Sequence, residues 1–157
     1  MRSPVIMALG LSVCACVTAY GETIELTAEI ADGPNGMLIE VSATGLAEGY
    51  HGTHLHQIAD CSDPDAGFMR SGGHINPENK LHGFLNPDGY KVANLPNLWA
   101  HKDGTAKAQF FLPGVKRADI MDDDGFAIIV HRNRDDHKSQ PIGGTGQRIG
   151  CIAIGDN

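Results

Sequence analysis

What most constrains this chain is its apolar rhythm, which beyond residue 21 runs at a period of two and not at a helical period. In ETIELTAEI, residues Ile24, Leu26, Ala28 and Ile30 fall on one face, as in a strand with one side buried. DGPNG follows, a turn built from residues that accept tight backbone geometry. MLIEVSATG continues with a less clean alternation, and YHGTHLHQI is a third candidate strand. NLWAH and KAQFFL flank KDGT, a hairpin signal. GFAIIVH and RIGCIAIG form the last two strands, separated by the polar, Gly-rich RNRDDHKSQPIGGTGQ. From Asp60 to Val92 the chain is rich in Gly, Pro, Asp and Asn. Short strands joined by long loops predict an all-β sandwich or barrel with its chemistry on the loops. At 157 residues, one domain with a real core is expected.

The first 21 residues break the rhythm. Arg2 precedes an apolar run from Val5 to Val17, and the first acidic residue is Glu22. The run is too short for a stable membrane span, and its charge, apolar stretch and small residues are those of a secretory signal. Ala19-Tyr20-Gly21 is a small-x-small cleavage site, so residues 1–21 are expected to leave and 22–157 to form the domain. Cys16 as a lipid-anchor acceptor and a buried core strand are the weaker alternatives. Removing Arg2 takes the formal charge from −7 to −8. So acidic a chain lacks the basic face that a nucleic-acid partner requires. One Trp, three Tyr and five Phe supply no aromatic binding platform.

Export leaves two cysteines, Cys61 and Cys151. They are either a disulfide or two buried thiols, and an oxidising compartment favours the disulfide. The loop it would close corresponds to roughly 4–5 kcal/mol in the chain-entropy model.

The eight histidines carry the chemistry. In GYHGTHLHQIADC, His54 and His56 are two apart and share a strand face, whereas His51 points to the other face and is expected to bond to backbone. His74 stands in the Gly-rich SGGHINP, His82 in KLHGF, and His131 where an apolar strand meets a loop. Many imidazoles without a ligand cysteine suit copper or zinc. His101 and His137 lie in polar contexts and read as surface groups.

GYHGTHLHQIADC, SGGHINP, LHGFLNPDG, IIVHRNRDD and GGTGQRIGCIAIG occur in an order and spacing that resemble the copper/zinc superoxide dismutases, most of all the exported bacterial branch. The resemblance spans roughly 36–154. It implies a Greek-key β-barrel or sandwich with long metal-binding and electrostatic loops, acting on superoxide in the periplasm. It implies copper held by His54, His56, His74 and His131, with His74 bridging to zinc and leaving copper on reduction. His82 matches a zinc ligand, Asp135 the carboxylate linking the two metal sites, and Arg148 the arginine that guides the anion. Cys61 and Cys151 match the family disulfide. Lys138, Arg132 and Arg134 are candidates for the mouth of a positive channel.

Two departures stand out. The two remaining zinc-ligand places fall on Lys91 and Asn94, so the zinc site is incomplete; an ammonium cannot ligate, and structural zinc wants four ligands. Asp88 is the one nearby carboxylate, and the Lys91 ammonium is a candidate substitute for zinc's charge, facing Asp135. The family also has a hairpin before the strand resembling MLIEV, so the first edge strand is expected to be missing, leaving an open sheet edge. The expected activity is a copper-dependent superoxide dismutase. A copper-binding or storage protein of the same fold is the alternative, but storage needs neither Arg148 nor Asp135. A degenerate structural domain would have no reason to keep four copper ligands together.

Overall fold

The structure, a computed structural model, describes residues 12–19 and 22–155. Among the described residues, nine strands form two antiparallel sheets. They are β1 (Ser12–Ala19), β2 (Glu22–Gly33), β3 (Gly36–Thr44), β4 (Gly49–His51), β5 (Thr53–His56), β6 (Leu98–Ala100), β7 (Ala106–Pro113), β8 (Phe126–His131) and β9 (Arg148–Ile154). One sheet runs β1-β2-β3-β7-β6-β4, and the other β5-β8-β9. Insertion of β6 and β7 between β3 and β4 is a crossed, Greek-key connection. The described residues hold one short α-helix, Arg117–Ile120, and no helix among them is long and apolar enough to cross a membrane.

The period-two pattern places the core. Ile24, Leu26, Ala28 and Ile30 of β2 and Met37, Ile39, Val41 and Ala43 of β3 are buried. The less clean alternation of β3 comes from Leu38, which points outward beside its cross-strand neighbour Phe111. In the smaller sheet every residue of β8 is buried. Phe126, Ile128 and Val130 pack into the main core, whereas Ala127 and Ile129 pack with Phe68 and Cys151 on the opposite face. That second face is roofed by the long connection between β5 and β6. Roofing explains why β8 reads as a continuous apolar run.

The edge expected to be open is occupied: β1, within the segment that reads as a leader, pairs antiparallel along β2 from Ser12↔Glu29 to Ala19↔Glu22. An apolar run beside an unpaired strand edge has ladder partners ready, which is the physical reason for the pairing. Of the expected cleavage motif Ala19-Tyr20-Gly21, Tyr20 and Gly21 lie outside the described residues.

Candidate metal site

His54 and His56 pair with Ile129 and Ala127 of β8, the roofed face of the small sheet. Leu55 between them faces the main core. His131 shares the parity of Ala127 and Ile129 and ends β8 on the same face. His74 arrives on the roofing loop through an isolated bridge to His56. These four rings each offer a nitrogen within 4.8 Å of the others.

Their partners fix which nitrogen is free. His54 Nε2 donates to Asp135 Oδ2 at 2.6 Å, His56 Nδ1 to the Gly72 carbonyl at 2.9 Å, and His131 Nδ1 to the Gly146 carbonyl at 3.2 Å. Each acceptor has no proton to give, so the opposite nitrogen must carry a lone pair. Those opposite atoms, His54 Nδ1, His56 Nε2 and His131 Nε2, are buried without a partner, as are both nitrogens of His74. Buried polar atoms are rarely left so. A cluster of unpartnered imidazole lone pairs fits a metal ion. Burial, with Arg148 assisting at His56 and His54 at His131, pushes His56 and His131 down to about 3, and burial likewise lowers His54 and His74. The rings therefore stay neutral and able to ligate.

Behind them, Asp135 is fully buried, accepting from His54, from His82 Nε2 at 3.0 Å and from the His137 backbone N–H at 2.7 Å. Burial alone would raise its carboxyl, but these donors hold it below the usual range. The Asn97 side chain clamps the Asp135 backbone at both N–H and C=O, 2.7 and 2.9 Å. Gly143 is a structural requirement that the polar loop composition conceals. At φ +66° a Cβ there would overlap Asp135 Oδ1 and lie 2.8 Å from His82 Nε2. Gly143→Ala is expected to weaken copper binding by about 10–100-fold, the usual effect of displacing such a supporting partner; chelator competition measures it, and unchanged affinity would remove Asp135 from the site's support.

A cleft of about 270 Å³ opens onto the rings, and Lys91 and Arg148 both line it. A bulge between Val130 and His131 sets Arg148 rather than Ile149 opposite His131, the kind of re-aiming that bulges provide near sites. Arg148 Nη1 donates to the Phe68 carbonyl at 2.7 Å and to Ser71 Oγ at 3.0 Å. Arg132, Arg134 and Lys138 are exposed; Arg134 instead stacks on Tyr50, 5.3 Å from the ring centre. The Lys91 Nζ donates to the Pro141 carbonyl at 3.5 Å, and Asp135 acts on it only through space.

His51 follows its parity, with ring nitrogens 2.8 Å from the carbonyls of His131 and Ala47. His101 is exposed, but His137 is half-buried, accepting from Asn97 Nδ2 at 2.9 Å and packing on Phe84. Its polar neighbours concealed that role. His82 and Asp135 group with His54, not with His74. Asp88 is exposed and belongs to neither cluster. His82 Nδ1, the nitrogen not bound to Asp135, accepts from Asn94 Nδ2 at 2.8 Å. Cys61 and Cys151 form a disulfide.

Known proteins match this arrangement. The family model for copper/zinc superoxide dismutase matches residues 21–154. A superoxide dismutase [Cu-Zn] of Caulobacter vibrioides is 40% identical over 132 residues, covering 80% of this chain and 75% of that protein. Superoxide dismutase [Cu-Zn] 2 of Aquifex aeolicus is 33% identical, covering 88% and 82%. Among solved structures, a SOD-like protein from Bacillus subtilis superposes with TM-score 0.81 at 34% identity, covering 91% of this chain and 97% of that one. On that family-model match and those relatives, the chain belongs to the copper/zinc superoxide dismutase family.

Proposed function

We propose that this protein is an exported superoxide dismutase running on copper alone. The observation that carries the reading is the set of four rings whose unpartnered nitrogens lie together. Copper there, held by His54, His56, His74 and His131, would supply the one-electron couple that turns two superoxide anions and two protons into O₂ and H₂O₂. Zinc has no redox chemistry to offer in its place.

The residues around the rings set the substrate. Superoxide is a small anion and the chain is acidic, so a local positive field must draw it in. Arg148, held by Phe68 and Ser71, orients the anion, and Lys91 adds a second cation to the same cleft. That is the role we assign to Lys91, rather than a contact with Asp135. The zinc corner does not fit a second metal: Lys91 and Asn94 replace two ligands, and His82 Nδ1 is already hydrogen-bonded. The disulfide supports an oxidising compartment, the periplasm, with residues 1–21 as leader; their removal would take β1 away and make β2 the sheet edge.

Superoxide turnover by the copper-loaded protein, with metal content measured on the same sample, tests the reading. Arg148→Ala is expected to keep copper and to lose about tenfold or more in turnover, as when one oriented charge contact to an anion goes. Wild-type turnover should fall as salt rises. Copper retention with no turnover in the wild-type protein would favour storage instead.

A further inference from the structure

We infer that Asn94 is a positioning residue that does for His82 what a second metal would otherwise do, so that the copper site is held in shape by a chain of hydrogen bonds. The inference rests on the copper-alone reading and concerns how the ligands are oriented.

The chain is read atom by atom. Asn94 Oδ1 accepts from the Gly83 backbone N–H at 3.1 Å. A backbone N–H only donates, so this contact fixes the amide orientation and turns the Asn94 NH₂ toward His82. There Nδ2 lies 2.8 Å from His82 Nδ1. An NH₂ cannot accept, so His82 Nδ1 carries the lone pair and Nε2 carries the proton. Nε2 then donates to Asp135 Oδ1 at 3.0 Å. The other oxygen of Asp135 accepts from His54 Nε2 at 2.6 Å, which leaves His54 Nδ1 free for copper. From Asn94 to Asp135 each proton position follows from the preceding link, and the Asp135 carboxylate, having no proton to give, fixes that of His54.

Burial makes the chain rigid. His54, His82 and Asp135 are fully buried, and Asn94 is 4% exposed. The backbone reinforces it, since Asn94 forms an isolated β-bridge with His54. Gln140 grips His82 at both ends, accepting from its N–H and donating to its C=O, each at 2.9 Å. Breaking one member of a fully satisfied buried network exposes the others to unmet hydrogen bonds. The same bond keeps zinc out, because a metal at His82 Nδ1 would first have to displace the Asn94 amide.

The test begins on metal-free wild-type protein, with long-range ¹H–¹⁵N correlation of the His82 ring. An Nε2–H tautomer is expected, and an Nδ1–H tautomer overturns the inference. Asn94→Asp keeps the shape and removes the donor; Asn94→Leu removes both polar atoms. Both should mix the His82 tautomers, weaken Cu(II) affinity by about 10–100-fold and broaden the Cu(II) EPR spectrum. Lys91→His with Asn94→Asp should bind Zn²⁺ at least about tenfold more tightly than wild type, as two restored ligands require. If Asn94→Leu fails to fold, the wild-type tautomer and Asn94→Asp still decide. Unchanged EPR and copper affinity in Asn94→Asp overturn the inference. None of these readouts uses turnover, so failure of the dismutase reading itself would appear separately, as a copper-loaded protein with the expected tautomer and no activity.

Discussion

Replacing both Cys61 and Cys151 by Ala is expected to lower the unfolding free energy by about 2–5 kcal/mol, the range for a native disulfide in a small exported domain. The two residues are 90 apart in sequence, and loop-closure entropy grows with that separation. Cys151 is fully buried on β9 beside Ala127 and Ile129, whereas Cys61 opens the roofing loop. The bond therefore ties the roof to the sheet where the second, smaller core has few apolar residues of its own. Function should respond as well as stability. A few residues beyond Cys61 the same loop supplies the Phe68 carbonyl and Ser71 Oγ that hold Arg148, and the Gly72 carbonyl that orients His56. A loosened roof should thus lower turnover even where the protein stays folded and copper-loaded. Urea unfolding of the double variant against wild type measures the first effect, and turnover per bound copper in dilute urea the second. A double variant with an unchanged midpoint would mean that the roof is held by its packing alone.

The parts of the site that were legible in the sequence are those governed by strand parity. His54 and His56 share a face because the period is two, and His51 leaves it for the same reason. His131 was legible as the residue that ends an apolar strand. What stayed hidden depends on geometry that composition does not encode. The Gly-Gly-Thr-Gly segment looks like flexible loop, yet Gly143 must lack a side chain because Asp135 and His82 occupy the space. His137 has the left-handed φ of +58° and polar neighbours, but its own backbone N–H supports Asp135. Ile149 sits at a bulge, and without that extra residue Arg148 would not stand opposite His131. Asn94 shows the limit most clearly. Counting ligands marks it as a loss, and only the position of its NH₂ beside His82 Nδ1 reveals a gain. Lys91 was legible as a cation at a place where a ligand was expected, but its position in the cleft beside the histidine rings depends on the path of the loop. The leader-like segment has a similar ambiguity: an apolar run suits export, and it also suits pairing with β2.

Metal-free protein is expected to lose stability steeply as pH falls from about 6.5 toward 3, a loss that begins well before ordinary carboxylates titrate. His56 and His131 stand at about 3 in the folded state because burial disfavours their charged forms. In the unfolded chain the same rings return to about 6.5. Above that pH neither state takes up a proton at these rings, and stability is full. Below it the unfolded chain binds protons that the folded chain refuses, so the unfolding free energy falls with decreasing pH. Each ring contributes about 1.4 kcal/mol per pH unit through this window, so the pair removes about 4 kcal/mol by pH 5. That is a large share of the roughly 5–15 kcal/mol that holds a typical domain together. Asp135, held below its usual range, adds a further loss in the same direction once pH drops below about 4. Bound copper should oppose the effect, since it binds the neutral rings of the folded protein and leaves the unfolded chain's competition with protons unfavourable. Thermal or urea melts of metal-free and copper-loaded protein between pH 7.5 and 4, values spanning the window set by the two ring pKa values, measure the difference. The metal-free midpoint should fall first and furthest, and copper should be released where the two curves meet. A metal-free protein equally stable at both ends of that range would show that the rings take up protons without unfolding, and that burial does not hold them ready for a metal.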